Sequence, residues 1–433
     1  MSEAKRVVVV GGGVAGLCTA YYLARGGAEV SVVESNRIGS GASAGNGGWL
    51  CPAQAGPLPE PGLTLTGMRA LLNRDSALYF KPAKLAELSP WLLRFWSYCN
   101  SSAYGAGVRA MALLGGRIFS LVEEMSDSGV EFEIHRQGML IAARDPAAAR
   151  EELEKLKPMA EFGYEIPDRI LVDDELHEVE PALANCVRAG FVVPQHWHVR
   201  PETFNRGVAA ALVEMGVEIL EGAEVVDMVS DGDGPVMVRT AVGDSEADAV
   251  VLAAGSWTPK LAEIVGATVP VQAGKGYSFM VTPTVMPRHA ILLADVHVGC
   301  TPFADGMRIG GTMEFSGVNL QLDRRRIDTT IAGARESFVE WSEPAVEHEW
   351  AGLRPIAPDG LPVIDRLGPD QPIYVATGYA MQGMTLGPPA GESLARYILS
   401  GERPAELRPF ALQRFDGIPW PGRRKRGWAG GTG

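Results

Sequence analysis

The sequence predicts an α/β protein: one domain built on a parallel sheet flanked by helices, and a second, mainly antiparallel α+β domain. Three observations carry this expectation. Residues 7–10 are an unbroken β-branched run ending in Gly11, which suits a central parallel strand buried on both faces. Residues 250–253 repeat that pattern before Gly255. Between residues 277 and 311, short β-rich runs alternate instead with turn residues, the pattern of an antiparallel meander.

Taken in order, residues 7–10 form a strand, residues 14–25 a helix and residues 30–33 a second strand that ends at Glu34, completing a βαβ unit. Residues 36–62, rich in Gly, Ser, Ala and Pro, read as an extended arm. From residue 84 to residue 128 apolar side chains recur at helical spacing, predicting two or more helices, with Pro90 starting the second. A strand over 137–143, a charged surface helix over 146–162 and a strand over 189–193 follow. Residues 201–215 read as a helix, with a short strand, 218–220, behind it. Near the C-terminus a strand over 373–376 leads through a glycine-rich turn, 378–389, to a helix over 391–399. The expected division is residues 1–90, 196–268 and 350–415 for the nucleotide-binding domain, 91–195 and 269–349 for the substrate domain, and 416–433 for a tail.

Composition narrows the function. A chain of 433 residues, 46% hydrophobic and 21% charged, is too long for one small domain and too apolar for a disordered or fibrous protein. A formal net charge of −13 disfavours a general nucleic-acid binder, because a phosphate polymer would be repelled. Cys18, Cys51, Cys99, Cys186 and Cys300 have no close pairing, so neither a disulfide framework nor a zinc site is indicated, and a cytoplasmic protein is expected. The start, MSEAKR, runs straight into a strand and leaves no room for a signal peptide. The apolar stretch 106–122 contains Arg109 and Arg117, which are costly at a bilayer centre, and so reads as a packed helix rather than a membrane span. Arg423, Arg424, Lys425 and Arg426 in the tail read as a solvated end, with peripheral contact to the inner face of the membrane as the other option.

The motif Gly11-Gly12-Gly13-Val14-Ala15-Gly16 stands between the first strand and the first helix. Gly11 suits the tight turn, Gly13 lets backbone N–H groups approach a pyrophosphate, and Gly16 lets helix and strand pack closely. Glu34 follows at about the twenty-residue offset of a ribose-binding acid. A Rossmann-type dinucleotide site is therefore expected. FAD is preferred over NAD because a second glycine-rich segment, residues 39–48, replaces the further βαβ units of an NAD domain.

On these and three further motifs the chain resembles the D-amino acid oxidase superfamily of flavoproteins, and within it the D-amino acid dehydrogenases and glycine oxidases. Residues 41–48 resemble the family's small-residue arm beneath the flavin, and residues 250–255 the strand and turn beside the adenosine. The segment 352–362, Gly-Leu-Arg-Pro-Ile-Ala-Pro-Asp-Gly-Leu-Pro, resembles the one whose arginine holds the substrate carboxylate. Ala376-Thr377-Gly378-Tyr379 through Gly383 and Gly387 resembles the final loop and helix at the flavin ring, although Tyr379 stands where the dehydrogenases tend to carry His.

The resemblance implies non-covalent FAD held by Gly11, Gly13, Val14, Ala15 and Gly16 at the pyrophosphate, Glu34 and Ser35 at the ribose, and Ser43, Asn46, Gly47 and Gly48 in the arm. It adds Val225, Ala254, Gly255 and Trp257 beside the adenosine half, and Gly352, Arg354, Gly378, Tyr379, Gly383 and Met384 around the ring. Arg354 and Tyr277 are the expected catalytic residues. A guanidinium fork fits a carboxylate in two parallel bonds; an interface ion pair is the other reading of Arg354. Tyr277 would add a phenol hydrogen bond, against a core tyrosine as the equal alternative. Lys275 reads as a solvated lysine rather than a flavin neighbour. His196 and His198 share a face two residues apart but lack a third ligand, so no metal is expected. Cys300 reads as a buried, inert thiol rather than a flavin attachment point.

The implied activity is oxidative deamination of a small amino acid, a D-amino acid above all, by hydride transfer from the α-carbon to flavin. The imino acid formed then hydrolyses to a 2-keto acid and ammonia. A secondary amine carboxylate such as sarcosine, proline or hydroxyproline is an alternative, and a protein-binding flavoprotein with structural FAD another. Oxygen, a quinone and a carrier protein stay open as electron acceptor.

Overall fold

The structure is a computed structural model that describes residues 4–63, 78–230, 232, 234–339, 346–368 and 371–416. Two large sheets organise it. The first has six strands in the order Glu218–Leu220, Glu29–Val33, Arg6–Val10, Ala249–Leu252, Ile373–Thr377 and Val363–Arg366. The first five run parallel and the last pairs antiparallel at the edge.

The β-branched runs are buried from both sides, as the sequence predicts. Val7, Val9 and Val251 face one core, with the helices Val14–Arg25, Gly383–Ser400, Pro201–Glu214, Ser101–Gly115 and Ile118–Asp127. Val8, Val10 and Val250 face another core, with the antiparallel strands Val225–Ser230, Val236–Thr240 and Gly243–Ala247 and the helix Thr258–Ile264. Strand alternation on a two-sided sheet requires such a division.

The second sheet has nine strands. Glu347–Ile356, Gln272–Val281, Gly306–Phe315, Val298–Phe303 and Ala290–Leu293 pair antiparallel in that order, extending the expected meander at both ends. Met139–Ala143 joins Ala290–Leu293 in parallel, then come Ala189–Val193 and Leu171–Val172, while Leu78–Phe80 pairs with Gly306–Phe315. The residue 349/350 division falls inside the strand Glu347–Ile356.

Three expected elements differ. Pro90 lies inside the helix Leu85–Tyr98 instead of starting one. Proline cannot donate to the carbonyl four residues back, and Ser89 Oγ donates to that Ala86 oxygen at 2.9 Å. The helix expected over 146–162 is α-helical only for Pro146–Leu156 and tightens to a 3₁₀ helix over Lys157–Phe162, because Pro158 lacks the N–H that would bond Glu154. The C-terminal helix begins at Gly383 rather than residue 391 and runs through Pro388 and Pro389. Its small residues press against the N-terminal helix: a Cβ on Gly391 would lie 2.8 Å from Cys18 backbone. That burial overrides the breaker signals.

The stretch Ser101–Asp127 is helical, long and apolar enough by composition to cross a membrane, but half of its most apolar window is buried inside the protein. Gly116 and Arg117 divide it into two helices. The basic tail residues lie outside the described residues.

Candidate functional site

A cavity of about 1930 Å³ runs from the turn after the first strand to the start of the C-terminal helix and the antiparallel sheet. At one end Gly11 has φ +114°, and a Cβ there would lie 2.6 Å from the Ala253 carbonyl oxygen; glycine is required on both counts. The helix Val14–Arg25 has Gly13 as its N-cap, without a side-chain cap and without an acid in its first turn. Val14 N donates to Ser43 Oγ at 3.0 Å. With Val14 N engaged by Ser43 Oγ, the rest of this positive helix end faces the cavity, which Gly13, Val14 and Ala15 line, and suits an anion such as a diphosphate.

Glu34 closes the second strand beside this end and lines the cavity. Its Oε2 accepts from Gly12 N at 2.8 Å and its Oε1 from Asn36 N at 2.8 Å, which fixes the carboxylate while leaving lone pairs for ribose hydroxyls. The arm beyond it is tied down at several points. Asn205 donates to Ser43 O at 3.1 Å, Ser278 Oγ to Gly45 O at 2.6 Å, and Arg308 Nη1 to Asn46 O at 3.1 Å. Glycine loop, helix N-terminus and fixed acid together form a cradle that a dinucleotide fits.

At the other end stands Arg354, on the strand Glu347–Ile356. Its Nη1 donates to Thr312 O at 2.8 Å and lies 4.0 Å from Met313 Sδ. Among the described residues no carboxylate pairs with it, and burial alone pushes its guanidinium down to about 10. It is still a cation at neutral pH, largely enclosed, facing a cavity and lacking an anion. An enclosed charge is normally paired, so the arrangement is shaped for an anionic ligand.

Two residues that the sequence reading did not single out position this arginine. Gly276 lies opposite Gly352 on the neighbouring strand, and a Cβ there would lie 2.0 Å from Arg354 Nη1. Thr312 has φ +61°, an outlier for a β-branched residue. It occupies a register shift between Gly306–Phe315 and Gln272–Val281, and the bulge turns its carbonyl toward Arg354. Thr312 Oγ1 and Trp91 Nε1 both belong to cavity-lining residues and have no hydrogen-bond partner among the described residues. The repeated glycines of Gly274-Lys275-Gly276 were a usable signal; nothing in the sequence marks Thr312.

Tyr277 is not brought to Arg354. In the paired strands Gly274 faces Arg354 and Gly276 faces Gly352, so alternation puts Tyr277 and Lys275 on the opposite face. There Tyr277 donates to Glu314 Oε2 at 2.8 Å, and Lys275 Nζ lies 3.1 Å from Glu314 Oε1. Arg326 Nε is 3.5 Å from Glu314 Oε2. Burial raises the Glu314 carboxyl, but hydrogen bonds from Ser316, Tyr277 and Lys275 outweigh it and hold the group below its ordinary value. Burial and Glu314 together push the Tyr277 phenol up. Lys275, expected to be solvated, is 3% exposed: its charge is matched by Glu314, which makes burial tolerable.

The remaining expected cofactor residues line the cavity, except Gly16 and Gly378. Gly16 acts in packing, since a Cβ there would lie 1.9 Å from Gly11 O, and Gly378 takes φ +79° behind the Tyr379 turn. Tyr379 is buried and bridges to Ile356. His198 Nε2 donates to Pro302 O at 2.9 Å, and burial lowers both His196 and His198 to about 3. Among the described residues no three potential metal ligands cluster. Cys300 is buried, its thiol pushed up by desolvation, and it does not line the cavity.

Comparison with known proteins bears on this site. A family described as FAD dependent oxidoreductase matches residues 6–397. A D-amino acid dehydrogenase of Methylobacterium nodulans is 31% identical over 412 residues, covering 92% of this chain and 96% of that protein. Another from Granulibacter bethesdensis is 29% identical over 427 residues, covering 95% of this chain and 100% of the relative. Among solved structures, glycine oxidase from Geobacillus kaustophilus has a TM-score of 0.72 at 24% identity, covering 96% of this chain and 100% of that one. L-proline dehydrogenase from P. horikoshii also has a TM-score of 0.72, at 21% identity, covering 96% and 98%. At these identities the structural likeness is one of fold.

Proposed function

The chain belongs to the family of FAD dependent oxidoreductases, and from that premise we propose that it oxidises a free amino acid of the D series. The product is an imino acid, which water converts to a 2-keto acid and ammonia. The observation that carries this reading is Arg354, a largely enclosed cation on the cavity wall with no acid beside it among the described residues. A substrate carboxylate would supply the missing anion through charge-assisted, two-pronged hydrogen bonds. The relatives' shared name, D-amino acid dehydrogenase, supports the choice of stereochemical series.

The glycine loop with Val14 and Ala15, the fixed Glu34 carboxylate and the 39–48 arm would hold FAD, with Tyr379, Gly383 and Met384 also lining the cavity and Gly383 beside Val14. The absence of Cys300 from that lining supports non-covalent binding. FAD, when bound, would supply the acceptor for the two electrons that leave with the substrate's α-hydrogen as its carbon–nitrogen single bond becomes double.

The protein's contribution is orientation. The Thr312 carbonyl holds one guanidinium nitrogen, and the remaining donors are free to fix the carboxylate and so the direction of the α-carbon. Gly276, Met313 and the Thr312 backbone, the groups found against the guanidinium among the described residues, are not bases, which supports a substrate amine that is already neutral as the form this site would process.

Anaerobic mixing of the purified flavoprotein with D- and L-amino acids and with secondary amine carboxylates tests the reading. Bleaching of the yellow flavin by D-amino acids, with stoichiometric 2-keto acid and ammonia, is the expected result. No bleaching by any amine carboxylate would overturn it.

A further inference from the structure

We infer that the preferred substrate carries a large apolar side chain, aromatic or branched, rather than the methyl of alanine or a charged group. The inference rests on Arg354 as the carboxylate site and adds what lies beside it.

Met313 Sδ is 4.0 Å from Arg354 Nη1. Two residues further along the same strand, and therefore on the same face, is Phe315. Its ring stacks on Phe80 with centroids 5.0 Å apart and planes 7° apart. Trp91 packs on Phe315 at 5.4 Å and on Phe95 at 5.1 Å. These five residues and Leu78 belong to one apolar cluster and all line the cavity. They come from three segments, the strand Gly306–Phe315, the strand Leu78–Phe80 and the helix Leu85–Tyr98, which converge on the space next to the guanidinium.

A carboxylate held at Arg354 leaves the rest of an amino acid within reach of this wall. An apolar side chain there leaves water and meets aromatic faces. A charged one loses its hydration and finds no counter-ion in these side chains, only the neutral Thr312 Oγ1 and Trp91 Nε1 among the described residues. Three of the cations lining other parts of the cavity are engaged elsewhere, Arg308 with Glu202, Arg326 with Glu314 and Arg144 with Glu336, while Arg37 and Lys260 are exposed residues of the segments that follow Glu34 and Gly255. A methyl group would leave much of the wall uncovered. One methylene in an apolar pocket discriminates by about ten-fold or more, so the preference should be plain.

Two measurements on the holoenzyme test this. In the first, kcat/KM is compared for phenylalanine, leucine and methionine against alanine, glutamate and lysine, in the stereochemical series that bleaches the flavin. The expected result is at least about ten-fold in favour of the apolar group. The second is independent of turnover: calorimetric titration of 3-phenylpropanoate and propanoate, with the aromatic acid binding at least about ten-fold tighter. Phe80→Ala should lower that ratio; if this variant does not fold, Leu78→Ala at a half-buried position replaces it. Preference for alanine, glutamate or lysine, or a ratio unmoved in the folded variant, overturns the side-chain inference and leaves amino acid oxidation standing. Failure of every amino acid to bleach the flavin, with neither carboxylate binding, overturns the functional reading itself.

Discussion

The paired strands Gln272–Val281 and Glu347–Ile356 carry charge on both faces and treat it in opposite ways. On one face Glu314 gathers Tyr277, Lys275 and Arg326 into a closed network. On the other, Arg354 has a backbone carbonyl and a thioether for company, and no acid among the described residues. Burying an ion is costly, and a counter-ion with hydrogen bonds offsets the cost. The matched face, whose Tyr277 and Arg326 also line the cavity, is electrostatically complete, and the unmatched face reads as a binding site awaiting its anion. Structural ion-pair networks perturb charges too, so here the absence of a protein counter-ion in a cavity, among the described residues, is what favours Arg354 over Glu314 as the binding group.

Substitutions on the two faces should separate stability from activity. The largest effect is expected from Glu314→Gln, which leaves Lys275 and Arg326 buried without their carboxylate. Breaking such a pair costs about 3–5 kcal/mol, measurable by urea unfolding, and a loss below about 1 kcal/mol would dissolve the distinction between the faces. The pH dependence follows in sign. Because the folded Glu314 carboxyl lies below its ordinary 4.5, its contribution is present above that value and disappears as pH falls through the lower folded one. Wild-type stability should therefore fall in acid below 4.5, and the Glu314→Gln variant should show a shallower slope there.

Next in size is Gly276→Ala. The added Cβ would meet the mobile end of Arg354, so the guanidinium should yield rather than the fold. A displacement of this kind costs on the order of 10- to 100-fold in kcat/KM, with a melting temperature close to wild type. Unchanged kinetics would mean that the guanidinium does not need its present position. The smallest effect is expected from Tyr277→Phe, which removes one of several hydrogen bonds to Glu314, about 1 kcal/mol of stability. Substrate KM should stay within about two-fold; a rise above about ten-fold would return Tyr277 to the carboxylate site.

The two ends of the cavity also differ in how far they could be read from the chain. The glycine loop, its flanking strand and helix and Glu34 lie within about thirty residues, and each uses a residue type for a local backbone reason. That end was legible. The far end is assembled from strands distant in sequence. Arg354 could be named from its motif, but which face of the sheet Tyr277 and Lys275 occupy depends on pairing register, which one sequence does not specify. Thr312 in a left-handed conformation has no local signal, because its strain is imposed by the neighbouring strands. The aromatic wall has no signal in the sequence for the same reason: Phe80, Trp91 and Phe315 belong to no motif, and only the convergence of three segments brings them together. Pro90, Pro388 and Pro389 misled in the other direction, as local breaker signals that side-chain capping and close helix packing overrule.

The central claim is that Arg354 is left unmatched so that a substrate carboxylate can match it. The most direct test is the anaerobic reductive half-reaction of wild type and Arg354→Met, with substrate Kd taken from the concentration dependence of flavin bleaching and thermal unfolding run alongside. Losing a charge-assisted pair should raise Kd by about 100-fold or more, while the melting temperature holds or rises because an uncompensated enclosed charge is gone. An unchanged Kd, or a loss of stability like that of Glu314→Gln, would contradict the account.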